Sequence, residues 1–227
     1  MKKAIMILSG GMDSTTLLYY LVKRQEMEVK CLTFNYGQKH QKEIDAARDT
    51  CIDLGLDHKI LNIEWLARML KGSSLTDPEV KVPYGHYAEE SMKLTVVPNR
   101  NMIMLSIASA YAFAEKADYV ATATHAGDHA IYPDCRASFM RSLESLVNVG
   151  NLWFKPIEIC NPFQNISKID ILSIGLSLKV DYSKTWTCYE GQELACGKCG
   201  ACQERLEAFD KNGVMDPLLY PWEIMQR

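Results

Sequence analysis

Residues 4–14 read Ala4-Ile5-Met6-Ile7-Leu8-Ser9-Gly10-Gly11-Met12-Asp13-Ser14, and an amphipathic stretch from Thr15 to Lys23 follows. The apolar run Ala4–Leu8 predicts a strand, the paired glycines a turn, and the stretch after them a helix. Gly10 and Gly11 open φ values closed to other residues and let an anion approach the main chain. Ser14 is placed to cap the helix, whose unpaired first-turn N–H groups then point at whatever anion the loop holds. Asp13 is the odd member, because a carboxylate repels a phosphate unless a cation lies between them. It is therefore read as a magnesium-phosphate contact. The segment has neither the Lys-Ser/Thr ending of a Walker A loop nor the spaced glycines of a dinucleotide turn.

Working outward, apolar runs alternate with helix-period segments along the chain. Strands are expected at 29–34, 58–63, 119–123 and 154–159, and helices at 41–54, 101–115, 143–149, 168–178 and 199–211. On the first of these helices Ile44, Ala47, Cys51 and Leu54 share one face. Such alternation predicts an α/β fold with a parallel sheet covered on both faces, which binds ligands at the carboxyl ends of its strands. Ser9–Ser14, Tyr36–His40 and His125–Arg136 all follow expected strands, so they are expected to line one crevice. Residues 71–94 carry no clear period and read as an insertion or lid over the sheet edge.

The chain has 227 residues, enough for one sizeable core with a small appendage, and its formal charge of −3 shows no basic stripe of the kind that grips long nucleic acid. No run approaches the length that spans a bilayer. Met1-Lys2-Lys3 faintly resembles the start of a signal peptide, yet the apolar stretch after it is too short for an h-region. The expectation is a cytoplasmic protein acting on small molecules.

Four of the eight cysteines, Cys31, Cys51, Cys135 and Cys160, are scattered, while Cys188, Cys196, Cys199 and Cys202 crowd together. Such crowding reads as a metal site before it reads as disulfides. Four thiolates suit one tetrahedral Zn²⁺ and leave it no open position, which implies a structural role. An iron–sulfur cluster is the alternative, although the ferredoxin continuation is missing, since Gln203-Glu204-Arg205-Leu206 follows. Gly191, Gly197 and Gly200 supply freedom around the metal, and Lys198 and Arg205 are expected to offset its net charge. The α/β pattern ends near Thr185, which divides the chain into an α/β domain, 1–184, and a zinc-binding module with a closing helix, 185–227.

Other candidates lie in the loops. Arg100, in Val97-Pro98-Asn99-Arg100-Asn101, is a good anion holder because its fork matches a carboxylate or phosphate, and Asn101 can cap the helix after it. Tyr132-Pro133-Asp134-Cys135-Arg136 combines a turn with an acid, a thiol and a guanidinium. His125, Asp128 and His129 just before it read as hydrogen-bonding groups for a ligand more readily than as metal ligands. Tyr36 and His40 open the second helix, where a solvated helix start is an equal explanation. The four tryptophans read as packing.

The loop Ser9–Ser14 is similar to the Ser-Gly-Gly-x-Asp-Ser loop of ATP pyrophosphatases, which cleave ATP to AMP and pyrophosphate. Together with Thr33–His40, Ser73–Thr76, Val97–Asn101, Tyr132–Arg136, Thr187-Cys188-Tyr189 and the cysteine run, it resembles the 7-cyano-7-deazaguanine synthase family, in the family's order along nearly the whole chain. The resemblance implies an adenine nucleotide α-hydrolase-like fold, a structural zinc on Cys188, Cys196, Cys199 and Cys202, and a homodimer. It also implies ATP-dependent conversion of 7-carboxy-7-deazaguanine and ammonia to the nitrile, through an adenylated carboxylate, an amide and an adenylated amide.

Carried onto these positions, the resemblance puts the nucleotide and Mg²⁺ on Leu8, Ser9, Gly10, Gly11, Met12, Asp13, Ser14, Thr15, Thr16, Leu17 and Leu18. Asp13, Ser14, Arg100, Asp134 and Arg136 become the catalytic set, and Tyr36, His40, Arg100, His125, Asp128, His129, Tyr132 and Asp134 the substrate-binding set. Three rivals share parts of this pattern. A tRNA sulfurtransferase would need a reactive cysteine pair and a basic RNA-binding domain. A close relative would stop at the amide or pass the deazaguanine to another acceptor. A zinc-dependent binding protein would keep the fold without the reaction.

Overall fold

The computed structural model describes residues 1–86 and 89–224. Five parallel strands, β1 (Lys3–Ile7), β2 (Glu28–Asn35), β3 (Asp57–Asn62), β4 (Tyr119–Ala121) and β5 (Glu158–Cys160), form one sheet in the order β3-β2-β1-β4-β5. Successive residues point to opposite faces of a strand, and the core divides accordingly. Ile5, Leu32, Phe34 and Val120 pack on one face, while Met6, Cys31 and Ala121 pack on the other. The helices α1 (Met12–Tyr19), α2 (Lys42–Leu54) and α6 (Lys168–Ser177) cover the second face; α3 (Trp65–Met69), α4 (Arg100–Ala114) and α5 (Ala137–Val149) cover the first. Helix α7 (Gly200–Lys211) packs on α6, which packs on α1, and α8 (Pro221–Ile224) closes the described chain.

The α/β expectation holds, and the differences have local causes. Helix α1 begins at Met12 and not Thr15, with Gly11 as its N-cap; Ser14 lies inside the first turn and donates to the Gly11 carbonyl at 3.2 Å. Asn99, at φ +59°, holds the N-cap position of α4 without a side-chain cap bond, and Asn101 lies inside the first turn. Strand β5 begins only at Glu158, because Pro156 has no N–H for a ladder and Phe154 is exposed. The Asn148 side chain instead holds the Ile157 backbone at both its N–H and its carbonyl. Helix α3 carried no sequence signal strong enough to be expected.

Residues 71–94, apart from 87 and 88, which lie outside the described residues, are less a lid than a wall. Ser74 and Leu75 are buried, the Lys39 N–H donates to the Leu75 carbonyl at 2.9 Å, and Ser74 N–H to the Leu94 carbonyl at 2.7 Å. Tyr84 bridges to Cys199, so this segment joins the loop after β2 to the cysteine cluster.

Candidate active site

Strand order reverses at β1, and the crevice opens where β2 and β4 diverge from its carboxyl end. A cavity of about 220 Å³ lies there, lined by Ser9, Gly11, Asp13 and Ser14 of the loop together with residues that follow β2 and β4. The loop is closed by its own serines. Ser9 Oγ meets Ser14 Oγ at 2.9 Å and accepts from the Gly11 N–H at 3.2 Å. Gly10 sits at φ +87°, and a Cβ there would lie 2.0 Å from the Glu43 carbonyl, so only glycine lets α2 approach this closely. Trp186 N–H donates to the Gly10 carbonyl at 3.0 Å and ties the loop to the chain leading into the cysteine cluster.

Of the expected nucleotide residues, Leu8, Ser9, Gly11, Asp13 and Ser14 line the cavity. Met12, Leu17 and Leu18 do not; they are fully buried core residues behind the loop. Thr16 is likewise turned inward, bonding the Met12 carbonyl and the Tyr182 hydroxyl at 2.7 Å each. Helical geometry explains this, since only the first turn of α1 faces the crevice. Thr15 and Gly10 are also off the cavity wall.

The most charged part of the site was not foreseen. Lys168, 6% exposed, places its Nζ 3.2 Å from Asp13 Oδ2 and 2.7 Å from Glu204 Oε2. Burial works against its charge, but Asp13 and Glu204 outweigh it and hold the ammonium above the ordinary lysine range. Lys168 is the first residue of α6, after a capping box formed by Ser167 and Asp170. A cation at a helix N-terminus opposes the macrodipole, so this position is held by its carboxylate partners. His125 Nδ1 accepts the Gly127 N–H at 3.1 Å, which leaves Nε2 to carry a proton when the ring is neutral. That Nε2 lies 3.8–3.9 Å from Asp13, Asp128 and Glu204. Asp13 Oδ1 is buried with no hydrogen-bond partner among the described residues.

A second group occupies the side nearest α4. Arg100, the first residue of that helix, lines the cavity and donates to the Tyr36 hydroxyl at 3.5 Å. Shielding opposes its charge, and the Tyr36, Tyr132, Cys135 and Asp134 groups around it restore it. Tyr132 is bonded to the Thr95 hydroxyl. Cys135 accepts from Asn101 Nδ2 at 3.3 Å, and burial first of all pushes its thiol well up. Tyr36, His40, Gln38, Asp128, Tyr132 and Tyr189 complete the wall. His40 is buried with Nε2 3.2 Å from Glu43 Oε2.

Three expected residues are placed elsewhere. Asp134 is drawn to the start of α4, where it accepts the Asn101 N–H at 3.3 Å. Arg136 is exposed, its Nε donating to the His129 carbonyl at 2.9 Å, and so it points away from the cavity. His129 is occupied by the Gln164 side chain. The short 3₁₀ turn Pro133–Cys135 accounts for two of the three, because it buries Cys135, sets Asp134 against the start of α4 and leaves Arg136 exposed.

The sulfurs of Cys188, Cys196, Cys199 and Cys202 all lie within 4.8 Å of one another. A tetrahedral zinc with Zn–S bonds of about 2.3 Å needs sulfurs roughly 3.8 Å apart, so the set fits. Backbone N–H groups of Lys198 and Cys199 donate to Cys196 Sγ at 3.4 and 3.3 Å, and Cys196 N–H donates to Cys188 Sγ at 3.3 Å. The neighbouring sulfurs, led by Cys188, and the Lys198 N–H push the Cys196 thiol strongly toward thiolate. Arg205 does not offset this charge as expected. It is fully buried and forks onto Asp216 at 2.7 and 2.9 Å, with Thr185, Thr187 and the Tyr182 carbonyl as further acceptors.

Comparison with known proteins gives a consistent family. The model of the family described as queuosine biosynthesis protein QueC matches residues 3–213. The chain is 55% identical over 219 residues to a 7-cyano-7-deazaguanine synthase from Pseudoalteromonas atlantica, covering 96% of this chain and 99% of that one. It is 53% identical over 218 residues to one from Methanoregula boonei, covering 96% and 99%. Among solved structures, a U34-tRNA thiolase NcsA from Methanococcus maripaludis is similar over 93% of this chain and 64% of that one, with a TM-score of 0.48 and 21% identity.

Proposed function

The chain belongs to the queuosine biosynthesis protein QueC family, and from that premise we propose that it makes 7-cyano-7-deazaguanine from 7-carboxy-7-deazaguanine, ammonia and ATP. The observation that carries this reading is the convergence of three helix N-termini, those of α1, α4 and α6, on one cleft that also holds Arg100 and Lys168. Dipole ends and cations add there into a site for several anionic groups at once, as a nucleotide triphosphate meeting a carboxylate requires.

In the proposed sequence a carboxylate oxygen attacks the α-phosphorus of ATP and pyrophosphate leaves. Ammonia then displaces AMP from the acyl carbon, losing a proton, to give the amide. A second ATP adenylates the amide oxygen; loss of the remaining nitrogen protons and of AMP leaves the nitrile. Lys168 and the first turn of α1 are assigned to the nucleotide phosphates, and Arg100, with the Tyr36 and Tyr132 walls, to the substrate carboxylate. Asp13 would hold Mg²⁺, which supplies charge neutralisation at the phosphates; its partnerless buried Oδ1 supports this. Asp128 and His125 are left to orient the substrate.

The four cysteines would hold a structural Zn²⁺, since a closed thiolate set leaves no open coordination position. Residues 185–227 are assigned to that module and 1–184 to the α/β domain. No helix among the described residues is long and apolar enough to cross a membrane. The proposed place is the cytoplasm, and small-molecule substrates without a nucleic-acid partner are the reading that the near-neutral charge supports. A homodimer is supported by the apolar group Leu146, Val149, Leu152, Trp153 and Phe154, in which Trp153 is 98% exposed. The sulfurtransferase alternative is disfavoured by Cys135, the cysteine lining the cleft, whose thiol is pushed up and away from the reactive thiolate form.

The test is to mix the purified chain with 7-carboxy-7-deazaguanine, ammonium, Mg²⁺ and ATP and to identify products by mass spectrometry. Nitrile and AMP are expected. Amide that accumulates without nitrile would refute the second activation, and unimpaired pyrophosphate release by Asp13→Asn would refute the assignment of the loop.

A further inference from the structure

We propose that Glu204 is a positioning residue for the nucleotide site: it holds Lys168 beside Asp13, so that helix α7 of the cysteine module sets where the phosphates meet their cation. This rests on reading the cleft as the ATP site.

Glu204 Oε2 is the nearer of the two carboxylates to Lys168 Nζ, at 2.7 Å against 3.2 Å for Asp13 Oδ2. It reaches Lys168 from the first turns of α7, which starts directly after its N-cap Cys199 and contains Cys202. The neighbouring residue, Arg205, is locked into Asp216, Thr185 and Thr187, so the register of α7 is fixed beside Glu204. Its other oxygen packs on the loop after β4, where a Cβ added to Gly127 would lie 2.5 Å from Glu204 Oε1. The carboxylate therefore sits between three parts of the site: α6 through Lys168, the His125 loop through Gly127, and the cysteine module through its own helix.

The physical need is clear from where Lys168 stands. It is buried, and it occupies a helix N-terminus whose dipole opposes it. When a magnesium-bound phosphate draws on Asp13, Glu204, the nearer carboxylate, still fixes the ammonium, because its place depends on α7 and not on the ligand. Glu204 has no comparable claim on the ligand itself, since Asp13 lines the cavity and Glu204 stands behind Lys168, off its wall. Its action runs through Lys168.

The test is ATP binding to the full chain in Mg²⁺ by calorimetry, for Glu204→Ala, Glu204→Gln, Lys168→Ala and the Glu204→Ala/Lys168→Ala pair. Glu204→Ala should weaken ATP by about tenfold, while Glu204→Gln, which keeps an acceptor for the ammonium, should stay within about threefold. The double variant should bind no more weakly than Lys168→Ala, because residues acting through one contact are not additive. Metal content by elemental analysis and the unfolding temperature of Glu204→Ala should match the parent. Parent-like ATP binding by Glu204→Ala would overturn the proposal, as would full additivity, a Gln variant as weak as Ala, or loss of metal. If Lys168→Ala itself binds ATP normally, the ATP-site reading fails first; a weak Lys168→Ala beside a normal Glu204→Ala defeats only the positioning role.

Discussion

Asp216→Leu removes the counter-charge from the most buried cation among the described residues. Arg205 is wholly shielded and makes two bonds to Asp216, one each to Thr185 and Thr187, and one to the Tyr182 carbonyl. Asp216 also accepts from the Tyr220 hydroxyl at 2.7 Å and the Leu218 N–H at 3.1 Å, so its loss strands several donors. Breaking one side of a buried pair costs about 3–5 kcal/mol, because the remaining charge stays desolvated. At this chain length each kcal/mol lowers Tm by about 2–4 °C, so the expected fall is roughly 6–20 °C. Replacing both partners by apolar groups, as Arg205→Met with Asp216→Leu, should recover most of it. The assay is thermal unfolding by circular dichroism at one scan rate, with metal content measured in parallel. A fall below about 2 °C for the single variant would refute the reasoning, since it implies a cost under 1 kcal/mol. A double variant worse than either single would refute it differently. Arg205 would then have a duty apart from Asp216, such as offsetting the cysteine cluster.

Three further outcomes are expected. Gly10→Ala must displace the backbone of α2, since its Cβ would lie 2.0 Å from the Glu43 carbonyl and its φ is +87°; pyrophosphate release should fall at least about a hundredfold, and near-parent kinetics would remove the close approach as a requirement. The Lys155 ammonium and the Lys3 N–H hold the Asp118 carboxyl down at about 2, against an ordinary 3.8, so its stabilisation is present above pH 3.8 and is lost as pH falls through about 2. Asp118→Asn should flatten that part of the acid-unfolding curve, and an unchanged slope would show that other carboxylates carry it. Trp153→Lys places a charge on the exposed apolar group 146–154; sedimentation should show the proposed dimer dissociating, and a stable dimer in that variant would move the interface elsewhere.

The parts of this fold that were legible in sequence are those in which local pattern and tertiary role coincide. Buried parallel strands read as apolar runs, and Ile5 and Met6 go to opposite faces simply because they are neighbours. The cysteine set was legible because all its ligands are close in sequence. Lys168 and Glu204 were not, because each is an ordinary charged residue of a helix and their meeting with Asp13 is decided by the packing of α6 against α1 and α7. Asp134 and Arg136 fall off the cavity wall for the converse reason. A motif written on consecutive residues hides the fact that a tight turn sends its members in different directions, here Cys135 inward and Arg136 out.

One local signal points at both cations of the cleft, the expected Arg100 and the missed Lys168. Both Arg100 and Lys168 open helices, positions where acidic residues are favoured and where a basic one is opposed by the dipole. A charge placed against its own helix is tolerated only if something else holds it, and here each has partners in the cleft: hydroxyl-bearing walls for Arg100, carboxylates for Lys168. The same placement that is unfavourable for the helix is favourable for an incoming anion, because the dipole end and the side chain then attract it together. Lys42 opens α2 in the same way off the cavity wall, so the placement marks a site only where the cation also faces the cleft. It also explains why the glycine loop alone is not enough. The loop offers N–H groups, which any anion can use; Arg100 and Lys168 add directed charge at two separate places, which suits a reaction that must bring a carboxylate up to a triphosphate.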